Sequence, residues 1–284
     1  ENEEGKRGIN MEYKTLSDRM KGAYENRYRN YLPENLPVIA RLDGQHFHSF
    51  CRGMKKPFDP IFVKTMQQTM LKLCEIIPNV KFGYVESDEI SLVMIQSERN
   101  SQPWFDNNIQ KIVSTSAALC TLWFNDYFAE NTIIDTTLDI FNIDKDSYDW
   151  KMVRKGKEMP TFDSRVFVVP AFEVHNYFVW RQQDCTRNSI QAVAQSLYSQ
   201  KELHGINTTK LQDKMFTEKG VNWNDYTTVE KPGTCAYRIP TTVIGKDGQE
   251  TIRYKWILDY EMPILTREEG KDFISQKVFT NESV

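Results

Sequence analysis

An α+β fold is predicted, built on a ferredoxin-like βαββαβ antiparallel sheet and followed by a mainly helical C-terminal lobe and a hairpin. Three observations predict it. Alternating apolar runs lie near 38 and 82 and a short continuous one at 166, two long runs with helical spacing separate them, and the resulting order is that of a split βαβ unit.

The first strand is Val38, Ala40 and Leu42 alternating with Ile39 and Arg41, and it runs into Asp43-Gly44, a tight-turn pair. Asp59-Pro60 then supplies a helix cap and first-turn residue. Phe62, Met66, Met70, Leu73 and Ile77 recur at helical spacing until Pro78, which predicts a helix over 59–77. Phe82, Tyr84 and Glu86 alternate, Ser87-Asp88 interrupts, and Ile90, Leu92 and Met94 alternate again, so 81–95 is expected to be a hairpin with an acidic tip. A second amphipathic helix carries Ile109, Ile112, Val113, Ser116, Ala117, Cys120 and Phe124. Val166 to Val169, stopped by Pro170, closes the unit, and the stretch at about 130–160 is too polar for core and is expected to be an insertion.

Beyond 170, Val174, Tyr177 and Phe178 mark one helical segment and Ile190, Val193, Ala194, Leu197 and Tyr198 the next. A third begins at Asn207 as cap and stops at Gly220, and 242–257 is expected to be a hairpin turning at Lys246-Asp247-Gly248. The expected division is an N-terminal extension over 1–35, a catalytic unit over 36–170 and a C-terminal lobe over 171–284.

With 284 residues, 40% hydrophobic and 26% charged, the chain has the composition of a globular protein, and no segment is apolar for the roughly 18 residues of a membrane span. Residues 1–10 are polar with no secretory signal, and Met11 is a candidate natural start. The five scattered cysteines form no Cys-x-x-Cys pair, so a reducing, cytoplasmic setting is expected. A net charge of −3 argues against indiscriminate coating of nucleic acid, although Lys151, Arg154, Lys155 and Lys157 form a local basic cluster that suits either an RNA contact or a solvated loop.

In a split βαβ sheet the third strand lies between the first two and antiparallel to both. The end of the first strand therefore meets the turn after the second, and Asp43 and Asp88 converge at one sheet edge. Two carboxylates so placed repel unless a cation lies between them. Magnesium, with its preference for hard oxygen, suits the pair and would serve phosphoryl transfer as a two-ion site. Either motif alone is ordinary turn chemistry; together at one edge they favour a metal site, with Glu89 beside it and Gly44 admitting close backbone approach.

The ordered motifs Arg41-Leu42-Asp43-Gly44, Phe47-His48-x-Phe50, Lys56-Pro57-x-Asp59 and Ser87-Asp88-Glu89 resemble the tRNA-histidine guanylyltransferase superfamily. Trp104-Phe105, Lys111, Phe162-Asp163-x-Arg165, Trp180-Arg181-Gln182-x-Asp184 and Gly220-Val221-Asn222-Trp223-Asn224 continue the match over most of 36–238. The resemblance implies a polymerase palm that grows RNA 3′-to-5′: ATP activates a tRNA 5′-phosphate, and the 3′-hydroxyl of an incoming NTP, such as GTP, attacks it. It implies catalytic Asp43, Asp88 and Glu89, with two Mg²⁺ ions held by Asp43, Asp88 and the Gly44 carbonyl. His48 is implied against the nucleotide base, and Arg41, Lys56, Asp59, Ser87 and Lys111 around the triphosphate. Asp59 is equally well read as a helix cap, His48 and His46 as satisfied strand-end histidines, and Lys56 as a solvated loop charge.

The chain has Thr186-Arg187-Asn188-Ser189-Ile190-Gln191-Ala192 where tRNA-histidine guanylyltransferases carry His-Ile-Asn-Asn-Leu-Tyr-Asn, and Asn107-Asn108 where many relatives place two arginines. It is therefore more similar to the guanylyltransferase-like branch that repairs 5′-truncated tRNAs. Arg154, Lys155, Arg181, Arg187 and Asn188 become the expected RNA contacts, and a homo-tetramer away from membranes the expected assembly. The alternatives are a tRNA-histidine guanylyltransferase proper, a palm-fold nucleotide cyclase and a non-catalytic RNA-binding module. The cyclic-dinucleotide synthases place paired glycines where Glu86-Ser87 stand here, and the module would present carboxylates to RNA phosphates.

Overall fold

The computed structural model describes residues 13–96, 102–134, 147–227, 231, 233–244 and 249–279. The split βαβ unit is present: β1 (Val38–Gly44), β2 (Val80–Glu86), β3 (Glu89–Met94) and β4 (Phe162–Val168) lie in the order β4-β1-β3-β2, antiparallel throughout. Strand alternation sends Val38, Ala40 and Leu42 into one hydrophobic cluster and Ile39 into another on the opposite face, so the sheet is covered on both sides.

A short helix α1 (Leu16–Ala23) precedes the sheet, and α2 (Phe47–Phe50) follows β1 directly. One face of the sheet packs on α3 (Pro60–Ile76) and α4 (Ile109–Ile134), with Met70, Leu73 and Phe124 fully buried. Asp59 caps α3 as expected, accepting from the amides of Ile61 (3.0 Å) and Phe62 (3.2 Å).

The expectation that 130–160 is too polar for core is corrected over its described residues. Helix α4 continues to Ile134, and Asn131 is buried because its amide donates to Thr65 Oγ1 (2.9 Å) and Gln68 Oε1 (2.6 Å). Helix α5 (Tyr148–Lys155) packs Met152 into the same core. Polar groups enter an interior when each finds a partner. Residues 135–146 lie outside the described residues.

The other face is covered by α6 (Glu173–Leu197), which is one continuous helix rather than two segments. Its polar middle is buried because Arg181 and Gln182 have partners there, Gln182 donating to Pro263 O (2.9 Å) and accepting from the Leu265 amide (2.7 Å). Then come α7 (Gln200–Leu203) and α8 (Thr208–Lys219), the latter capped by Asn207 and ended by Gly220 at φ +67°. The C-terminal hairpin starts earlier than expected: β5 (Thr234–Ile244) and β6 (Glu250–Asp259) extend the sheet, β5 pairing with β2. The expected turn at 246–248 lies outside the described residues. Helix α9 (Glu268–Phe279) packs on the α6 face.

Candidate active site

The topology brings the two aspartates together as their strands predict. Asp43 stands opposite Glu89 across the β1–β3 ladder, and the Gly44 amide donates to the Asp88 carbonyl at 3.1 Å. Ser87 and Asp88 form a two-residue turn between the paired residues Glu86 and Glu89, with Ser87 at φ +48° and its hydroxyl donating to Asp88 Oδ1 at 3.0 Å. Burial pushes the Asp88 carboxyl above its ordinary range, Ser87 opposes this, and the neighbouring Asp43 adds to it.

Gly44 has a packing reason of its own. A Cβ there would lie 2.3 Å from the Phe47 ring, which itself packs on Phe162 and Phe124. Gly44→Ala is therefore expected to cost about 1–3 kcal/mol, read as a lowered thermal midpoint with unchanged secondary structure by circular dichroism.

Strand alternation places Arg41, Asp43, Glu89 and Ser91 on the α6 face of the sheet. Arg41 Nε lies 3.6 Å from Glu89 Oε2. Arg181 descends from α6 into this face. Its Nη2 donates to Glu86 Oε1 (2.6 Å), Glu89 Oε2 (3.1 Å) and Asp184 Oδ2 (3.0 Å), and its Nε lies 2.7 Å from Glu89 Oε1. Its side chain is only 5% exposed, so the RNA contact expected at Arg181 is corrected: the guanidinium is committed to buried carboxylates and ties α6 to the hairpin tip.

Glu86, which strand spacing presented as an ordinary strand-end residue, is thus part of the site's support. Burial pushes its carboxyl up from the ordinary 4.5 to about 8, although Arg181 pulls it down. A carboxyl raised in the folded state contributes stability below its unfolded pKa and loses it as pH rises through the folded value. The thermal midpoint of the wild type is expected to decline between pH 5 and pH 8, and Glu86→Gln to flatten that slope.

Beside the tip, a cavity of about 250 Å³ opens between the α2–α3 loop, α6 and the start of β5, lined by Lys55, Lys56, Asp59, Ser87, Asn188 and Ser189 among others. Asp59 meets it with both oxygens engaged, because Oδ2 also accepts from the Lys55 amide (2.8 Å) and the Tyr148 hydroxyl (2.7 Å). Asp59 therefore shapes the loop that carries Lys56; of its two readings, the cap is the one its bonds satisfy. Tyr148 of α5 was not legible as a partner, since it lies 89 residues away in the sequence.

Other expected residues fall elsewhere. His48 is exposed on α2 and Lys56 at the cavity. Lys111 is corrected: it follows Asn107 and Asn108, which bond to the chain at Leu32 and Tyr31, at the end of the sheet where Val38 meets Met94 and Val168, opposite to Asp43. Lys155 is also corrected as an RNA contact, because it is buried and donates to the Phe50 carbonyl, whereas Arg154 is exposed. Arg187 is exposed and pairs with Asp184, and Asn188 lines the cavity. Two residues without an assigned role join the edge: Asp163, opposite Asp43 on β4, and Arg165, whose Nη1 lies 3.4 Å from Asp43 Oδ2.

The sequence model of the family described as Thg1, tRNAHis guanylyltransferase, matches residues 17–170. The chain belongs to this family. A bacterial tRNA(His) guanylyltransferase (Thg1)-like protein in complex with ATP is 36% identical, covering 94% of this chain and 100% of that one with a TM-score of 0.76. A complex of such a bacterial protein with GTP is 34% identical over 93% of this chain and 99% of that one, with a TM-score of 0.71. The tRNA(His) guanylyltransferase of Debaryomyces hansenii is 27% identical over 222 residues, 74% of this chain and 76% of that protein. As a member of the Thg1 family the chain is a tRNA guanylyltransferase-like nucleotidyltransferase. Among the described residues, no helix is long and apolar enough to cross a membrane.

Proposed function

We propose that this Thg1-family chain adds templated nucleotides to the 5′ end of tRNA in the 3′-to-5′ direction, repairing molecules that have lost their first residues. The observation that carries this reading is the meeting of Asp43 and Asp88 at the sheet edge, beside a cavity with Lys55, Lys56 and Ser87 in its wall. The repair branch is supported by 36% identity to the bacterial Thg1-like protein against 27% to the Debaryomyces hansenii tRNA(His) enzyme, and by Thr186 to Ala192 standing in place of the His-Ile-Asn-Asn-Leu-Tyr-Asn stretch.

The chemistry is two displacements at phosphorus. An oxygen of the RNA 5′-monophosphate attacks the α-phosphorus of ATP and pyrophosphate leaves. The 3′-hydroxyl of the incoming NTP then attacks the activated 5′-phosphate and AMP leaves. Both need charge neutralised around the phosphates and the two reactants held in line. The bacterial relatives, one in complex with ATP and one with GTP, are consistent with both nucleotide classes.

The donor set at the edge fits two magnesium ions. Asp43, Asp88 and the Gly44 carbonyl are all hard oxygens, and the mutual repulsion of the two carboxylates is what a divalent cation relieves. Bound there, magnesium would supply Lewis-acid stabilisation of the attacking and leaving oxygens. The chain's own groups do the rest: Lys56 and Ser87 meet phosphate oxygens at the cavity mouth, Arg41 neutralises charge on the opposite side, and Asn188 offers an amide to the base.

A tRNA lacking its first nucleotide and carrying a 5′-monophosphate should be extended by one complementary nucleotide when ATP, NTP and magnesium are present. Absence of extension, or a cyclic product from nucleotides alone, would overturn the reading.

A further inference from the structure

The geometry points to Trp180 as a stacking platform for the 5′-terminal base of the RNA substrate. This inference rests on the reading that RNA is extended at its 5′ end, and it assigns the side of the carboxylates on which that end lies.

Trp180 is 49% exposed on a helix face whose neighbours Tyr177, Phe178 and Arg181 are buried. Its indole is fixed from the protein side. Arg41 Cζ lies 5.5 Å and Arg181 Cζ 4.5 Å from the ring centroid, and these two side chains are only 17% and 5% exposed. The Tyr177 ring meets it edge-on, with centroids 5.8 Å apart at 73°. An aromatic ring held rigid by two guanidinia, with much of its surface open to solvent, binds a base at little ordering cost.

Placement along α6 separates this platform from the cavity. Trp180 lies over Arg41 of β1, whereas Cys185, Asn188, Ser189 and Ala192 of the same helix line the cavity beyond the β2–β3 tip. At 1.5 Å per residue, Trp180 and Asn188 are about 12 Å apart along the axis. Between them Arg181 holds the Glu86 and Glu89 carboxylates of the tip and also donates to Asp184, one turn on along the helix. A reaction that joins two substrates needs one on each side of Asp88, which that tip carries, and Asp43, which it faces. The walled cavity suits a mononucleotide. The open platform, with the half-exposed Arg165 opposite Arg41 on the neighbouring strand to meet a phosphate, suits a base whose chain continues away from the protein.

The base could also come from ATP, and the test separates the two sources. In the absence of ATP and NTP, the affinity of the full chain is measured for a 5′-monophosphorylated tRNA with its terminal base intact and for the same RNA made abasic at that nucleotide. ATP affinity is measured separately by equilibrium dialysis. The wild type is expected to favour the intact RNA by about tenfold. Trp180→Ala should bind both RNAs at the abasic level, Trp180→Phe should keep most of the preference, and ATP affinity should stay within about twofold. An equal intact-to-abasic ratio in the wild type and Trp180→Ala overturns the platform, as does a wild type indifferent to the base. A loss of ATP affinity in Trp180→Ala with the RNA ratio preserved overturns it too, assigning the indole to ATP. Nucleotide addition by the wild type is scored independently: a base preference without addition retires the reaction and keeps the platform, and addition without a base preference does the reverse.

Discussion

Asp88→Asn is expected to slow nucleotide addition by about a thousandfold or more while leaving the thermal midpoint at or above that of the wild type. In the proposed reaction the kinetic loss follows from removing one of the two charges that would hold divalent cations on the reacting phosphates, an effect of several kcal/mol and hence of about three decades in rate. The stability result follows from the free protein. Asp88 is a carboxyl that burial and the facing Asp43 both disfavour in its charged form, so the isosteric amide removes an electrostatic penalty. Asp43→Asn should show the same kinetic loss. Single-turnover addition rates and thermal melts of the two variants check both halves, and activity lost together with stability would point to misfolding instead.

The second large effect belongs to Arg181. Replacing it with leucine leaves Glu86 and Glu89, whose side chains are 2% and 12% exposed, without the cation that spans them. Breaking a buried ion pair from one side costs about 3–5 kcal/mol, and the thermal midpoint should fall by on the order of 10 °C. Activity should fall too, because the same guanidinium fixes the hairpin that carries Asp88 and lies against Trp180. Arg181→Lys is expected to recover only part of either quantity, since one ammonium cannot reach three carboxylates in a fixed fork. The double variant Arg181→Leu with Glu89→Gln should be more stable than Arg181→Leu alone, because it also removes the carboxylate left without its cation. Additive losses in that pair would contradict a direct coupling.

What the sequence disclosed was whatever depends on periodicity and chain order. Val38 to Leu42 alternate, Asp59-Pro60 caps, and the order of strands and helices places Asp43 beside the Ser87-Asp88 turn; each of these is local patterning carried through one topology. What it concealed were side chains whose partners lie far away in the chain. Arg181 and Lys155 read as cations for RNA because their sequence neighbours Asp184 and Glu158 do not reveal their burial, and the carboxylate and carbonyl that take them inward are 95 and 105 residues distant. Asn131 and Met152 looked like parts of a polar insertion because their environment is set by α3 and its neighbours. Lys111 follows a family pattern, but its place is set by where α4 begins, at the other end of the sheet. The β5–β6 hairpin was visible as a hairpin, whereas its docking onto β2 depends on a pairing that no local pattern announces.

The most direct test of the account is a titration of the wild type, Asp43→Asn and Asp88→Asn with manganese in the presence of a non-hydrolysable ATP analogue, followed by electron paramagnetic resonance. Two tightly held ions per chain in the wild type, with occupancy lost in both variants, is the predicted result. Equal manganese occupancy in all three proteins would contradict it.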